Sequence, residues 1–184
     1  EFRRVLFRST LDSEHSPLRI GNVPPRTPHN RSLIILDSNA LSFSNTSIAE
    51  FAAMFPSHSI LEWESTLKST QHLKAHRSTY SEVHLIGHGS NAQLELGDLV
   101  LNSKGSPIQD SFLHSLRDSL RPNANVFLYG CNVAETASGK QFVSQLHDFF
   151  DRPVMASVDP TGSSAQGGDW QLEFITGAVD RSQL

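Results

Sequence analysis

A chain of 184 residues, 38% hydrophobic and 18% charged, carries enough apolar mass for one well-buried core and too little for two. Residues 1–31 hold six Arg against three acids, whereas residues 32–184 hold nine Lys or Arg against sixteen acids, so the body of the chain stands at −7. That acidic balance argues against nucleic acid or an anionic membrane surface as the main partner, and no run of about 18 apolar residues is present to span a bilayer.

Taken in chain order, residues 3–9 (RRVLFRS) match the translation of a common sequencing adapter and are set aside from the fold. Up to residue 31 the chain carries Pro17, Pro24, Pro25 and Pro28 among few apolar side chains, and it reads as a disordered lead-in. No secretory h-region or cleavage site is visible in it. Residues 32–177 read as one domain, and 178–184 as the tail of a truncated longer chain.

The first element is the continuous apolar run Ser32-Leu33-Ile34-Ile35-Leu36, closed by Asp37, Ser38 and Asn39, which predicts a strand buried on both faces. Ile48, Phe51, Ala52 and Phe55 predict a helix that stops at Pro56, followed by a short strand over 59–63. Residues 64–78 are polar and helix-tolerant, with Leu67 and Leu73 as inward anchors. Val83 to Gly87 is the clearest strand and runs into a turn, His88-Gly89-Ser90-Asn91. Leu94, Leu96, Leu99 and Leu101 alternate around Gly97-Asp98 and predict a hairpin.

Ile108, Phe112, Leu113, Leu116 and Leu120 lie at helical spacing and the helix stops before Pro122. Val126 to Tyr129 is a further buried strand ending in Gly130-Cys131-Asn132, and Phe142, Val143, Leu146, Phe149 and Phe150 mark a helix over 138–150. Val154 to Ser157 gives a short strand. A loop from Asp159 to Gly168 then leads to an alternating edge strand, Asp169 to Phe174, in which Trp170 packs as a core or edge aromatic. Strands alternating with helices imply crossovers and a doubly wound, mainly parallel sheet, whose sites form beyond the carboxyl ends of its strands.

Two chemistry-bearing residues fall at such ends. Cys131 is the only cysteine, so the chain holds no internal disulfide and no Cys-based structural zinc site. His88 and Cys131 each follow an apolar run closed by glycine, and neighbouring strands about 4.8 Å apart would bring thiol and imidazole within reach. An imidazole beside a thiol favours the nucleophilic thiolate or serves as its general base. Gly89 adds a backbone N–H without side-chain cover, suited to an acyl-transfer oxyanion together with the N–H of Cys131.

This arrangement resembles the caspase, gingipain and clostripain superfamily of cysteine peptidases. It resembles more closely still the bacterial domain of unknown function 4347, found near the amino ends of very long repeat-containing surface or secreted proteins. The matching stretches are Leu33-Ile34-Ile35-Leu36-Asp37, His84-Leu85-Ile86-Gly87-His88-Gly89, Leu94-Glu95-Leu96-Gly97, Leu128 to Ala134, and Ala156-Ser157 through Thr161-Gly162 to Gly168-Asp169-Trp170-Gln171-Leu172-Glu173. The resemblance implies a caspase-like α/β/α three-layer sandwich with His88 and Cys131 as its dyad. It further implies a peptide substrate, the chain's own longer polypeptide included, and an extracellular or cell-surface setting. The chain departs from the pattern at Gly87, where the family often has Ser. The rival expectation is an inactive caspase-like module that caps or targets an adhesin-type protein.

Other features carry weaker readings. Asp159 and Asp169 overhang the same sheet edge and suit either a pocket for a basic side chain or, as the preferred role, a turn and a loop anchor. His72 and His76 lie four apart on a helix, but no carboxylate completes a metal set between them, and a solvated surface is the better reading. Gly87-His88-Gly89-Ser90 lacks the spacing and Lys-Ser/Thr ending of a phosphate loop. No metal and no cofactor is expected.

Overall fold

A computed structural model describes residues 31–41, 48–164 and 167–177. The lead-in up to residue 30, with its adapter-like stretch, and the tail from 178 lie outside the described residues.

The fold is α/β, with a mainly parallel six-stranded sheet and a small antiparallel sheet beside it. In the large sheet β1 (Ser32–Leu36) is flanked by β2 (His58–Glu62) and β3 (Tyr80–Ile86), and the sheet continues through β7 (Leu120–Tyr129), β8 (Val154–Ala156) and the antiparallel β9 (Phe174–Ile175). The small sheet comprises β4 (His88–Ser90), β5 (Gln93–Leu96) and β6 (Leu99–Asn102). The helices are α1 (Ile48–Met54), α2 (Thr66–Ala75), α3 (Pro107–Ser119) and α4 (Ala137–Phe150).

Continuous apolarity in the central strands follows from burial on both faces. Leu33, Ile35, Val83, Leu85, Val126, Leu128 and Val154 point to one side, where Leu73 of α2, Phe112 and Leu116 of α3, and Phe142 and Leu146 of α4 cover them. Ile34, Leu36, Ile86, Phe127, Tyr129 and Met155 point to the other, against Phe51 and Phe55 of α1 and against Trp170. Each fully buried side chain of this size contributes roughly 1.5–3 kcal/mol. Of the two roles open to it from sequence, core or edge, Trp170 takes the core one.

Local signals account for the helix ends. Ser65 and Ser106 cap α2 and α3, their hydroxyls accepting the N–H of Lys68 and Gln109, and Pro107 opens α3 with φ preset for a helix. Asp151 closes α4 in the left-handed region at φ 55°.

Four details differ from the sequence expectation. Leu67 and Ile108 are 67% and 59% exposed: in the first turns of α2 and α3 it is Thr66 and Gln109 that are buried, and Ser69, Thr70 and Leu73 complete the inner face of α2. His88-Gly89-Ser90 is a strand, the third member of the hairpin sheet, and the turn falls at Asn91-Ala92, with Ala92 at φ 62°. β7 begins at Leu120, ahead of Pro122: the register shift between Tyr80↔Leu120 and Glu82↔Asn125 makes an irregularity that tolerates proline. The late edge strand is paired only over Phe174–Ile175, the preceding residues being held by an isolated Thr161↔Asp169 bridge.

Two acids tie the hairpin to the tip of β1 and to the segment between β2 and α2. Asp37, buried at the tip of β1, accepts the N–H of Gly97 (2.9 Å) and both the N–H and the side-chain amide of Asn39. Asp98 accepts from the Trp63 indole (2.9 Å) and the Thr66 N–H. Burial works to raise the Asp98 pKa, but these hydrogen bonds outweigh it and hold the carboxyl below its ordinary value.

Candidate functional site

The parallel β3–β7 pair runs in register to Ile86↔Tyr129, and Gly87 N–H donates to Tyr129 O at 3.1 Å. The two segments therefore leave the sheet side by side, with Gly87 beside Gly130 and the His88-Gly89 step beside Cys131. Contact between them is at backbone level. A Cβ on Gly89 would stand 2.4 Å from Gly130 C, 2.5 Å from Cys131 N and 2.6 Å from Cys131 O. Glycine there lets the two main chains touch. Gly87 is equally constrained, since a Cβ would meet Glu95 O at 2.1 Å, which explains why no Ser stands before the His-Gly pair in this chain.

Further bonds lock the two tips together. Ala92 N–H donates to Val133 O at 3.0 Å. The Asn91 side chain accepts from Thr136 Oγ1 (2.8 Å) and donates to Ser138 Oγ (3.0 Å), fastening the β4–β5 turn to the start of α4. Cys131 is half-buried and His88 exposed. After Cys131 the backbone turns sharply, with Asn132 in the left-handed region at φ 61°, which asparagine tolerates better than most residues. Its N–H donates to Asp159 O (2.8 Å), and Ala134 N–H donates to Ser157 O (2.8 Å). The late loop thus lies across the cysteine, and the thiol makes a weak hydrogen bond to Thr161 O at 3.5 Å.

Asp159 and Asp169 occur on that loop as expected, and oxygens of both lie within 4.8 Å of each other and of Glu173. Each also has a local partner: Asp159 accepts from Ser157 Oγ (3.1 Å), Asp169 from Gln171 N–H (2.8 Å) and Glu173 from Val158 N–H (2.9 Å). Those bonds tie Asp159 and Asp169 to neighbouring residues of the loop. His72 and His76 stack ring on ring at 4.3 Å, with His72 bonded to Tyr80 Oη at 3.0 Å and His76 to the His72 carbonyl at 2.8 Å. Burial first, then the His76 charge, lowers the His72 pKa.

Sequence reasoning passed over Asn91, Asn132 and Thr161. A turn asparagine and a loop threonine look alike whether or not they hold a site together. The left-handed Asn132 had one available signal, the Gly-Cys-Asn step at the end of an apolar strand.

The profile of a family described as a domain of unknown function (DUF4347) matches residues 35–184. No curated protein matches the chain.

Proposed function

The chain belongs to the DUF4347 family, and from the pairing of its two strand tips we propose that it is a cysteine peptidase domain with a caspase-like three-layer architecture. The observation that carries the reading is the direct backbone contact of Gly89 with Cys131 at the carboxyl ends of adjacent parallel strands. Helical cover on both faces of the sheet supports the architecture.

In this reading Cys131 is the nucleophile. Its sulfur attacks the scissile carbonyl as His88 takes the thiol proton, the N–H groups of Gly89 and Cys131 receive the oxyanion, and His88 returns the proton to the leaving amine. Water, deprotonated by His88, then hydrolyses the thioester and regenerates the thiol. The substrate is a peptide bond, with one in the protein's own longer polypeptide as the first choice, in a surface or secreted setting.

A second reading is favoured by the hydrogen bond between the thiol and Thr161 O, which engages the sulfur. There the domain is an inactive module serving a structural or targeting role in an adhesin-type protein.

Labelling with a peptidyl thiol-directed electrophile separates the two. The peptidase reading expects one label per chain, absent from Cys131→Ala while its circular dichroism is unchanged. Self-cleavage that persists in Cys131→Ala overturns it, and a chain that no such electrophile labels overturns it and leaves the inactive module.

A further inference from the structure

At the opposite end of the large sheet three ligand-bearing side chains converge that the peptidase reading does not use. His58 opens β2, and Glu82 and His84 lie two apart, hence on one face, in β3. Register brings them together: Ser32 of β1 pairs with His58 on one side and Glu82 on the other. One donor atom from each of the three lies within 4.8 Å of the others, and His84 Nε2 stands 4.0 Å from Glu82 Oε2.

The surroundings fix these groups. Ser32 Oγ donates to Glu82 Oε2 at 2.6 Å. The His84 ring stacks on Phe127 at 4.4 Å with 4° between the planes, and the His58 ring sits between Phe55 and His84 at 5.6 and 5.7 Å. His84 Nε2 is buried without a hydrogen-bond partner among the described residues, and so is Nδ2 of Asn125, the β7 residue in register with Glu82. Buried polar atoms are seldom left this way in folded proteins unless water or an ion serves them.

We propose that His58, Glu82 and His84 form a binding site for a divalent first-row transition metal, zinc foremost, that clips the edge strand β2 to β3 across β1. Two imidazole nitrogens and one carboxylate are a zinc-type donor set, whereas calcium and magnesium would call for oxygen alone. Zinc bonds of about 2.0–2.1 Å require the donors to close in by roughly 1 Å, within the reach of side-chain rotation. His84 pairs in register with Phe127, four residues before Cys131 in the chain, so the site lies back along the strands from the cysteine.

The test is titration of the intact chain, carrying Cys131→Ser to remove thiol binding, with Zn²⁺ by calorimetry and with Co²⁺ by its d–d absorption. One equivalent is expected to bind and to raise the thermal midpoint. His84→Phe, which retains the stacking on Phe127, and His58→Asn, on the edge strand, should each weaken binding at least tenfold, while His72→Ala should leave it unchanged. Should His84→Phe fail to fold, His58→Asn alone decides the matter. Binding that survives His58→Asn, that is lost with His72→Ala, or that is absent from the parent chain overturns the proposal.

Discussion

Gly89→Ala is expected to lower stability by about 3 kcal/mol and, in the same step, to remove any special reactivity of Cys131. The added methyl would sit 2.4 to 2.6 Å from Gly130 C, Cys131 N and Cys131 O, all backbone atoms that cannot rotate away. Only separation of the two strand tips relieves the clash, and that strains the Gly87 N–H to Tyr129 O and Ala92 N–H to Val133 O bonds. Gly130→Ala is the control: its nearest obstacle, at 2.6 Å, is the end of the Leu94 side chain, with Gly89 Cα at 3.0 Å. A flexible side chain can yield, so a cost of roughly 1 kcal/mol is expected there. Urea unfolding of both variants is the measurement, and equal losses would mean that the tips are not in the contact described.

Asp37→Ala has the next largest expected effect, about 3 kcal/mol, because it strips acceptors from three donors at once: Asn39 N–H, Asn39 Nδ2 and Gly97 N–H. Asp37 is 4% exposed, so water cannot replace those bonds freely. Asp37→Asn should recover only part of the loss. One of its two terminal atoms becomes an N–H₂ group facing an N–H donor, so either Asn39 or Gly97 stays unserved. Full recovery with asparagine in the same unfolding experiment would show that side-chain volume, rather than acceptor number, matters at this position.

The parts of the fold legible in the sequence were those where burial writes directly into composition. Leu33 to Leu36, Val83 to Ile86 and Val126 to Tyr129 are apolar without alternation because both faces of the sheet are covered, and they are the core strands of the structure. The approach of the His88 and Cys131 segments was legible for the same reason, since each follows such a strand. Strand order was not, because register depends on packing between distant segments. The convergence of Glu82 and His84 with His58 escaped notice on that account, His58 lying 24 residues before Glu82 in the chain. Leu67 misled because the inner face of α2 is made mostly of small polar residues, Thr66, Ser69 and Thr70, which an apolar pattern does not mark. The third hairpin strand, β4, was hidden by Gly89 and Ser90, whose composition signals a turn.

Whether His88 acts on the thiol of Cys131 is tested most directly by the rate at which iodoacetamide alkylates Cys131 at pH 7. The folded parent chain is predicted to react at least roughly tenfold faster than His88→Ala, with His72→Ala matching the parent. Equal rates in the parent and His88→Ala would contradict the account, leaving Cys131 as a thiol packed beneath the Thr161 carbonyl.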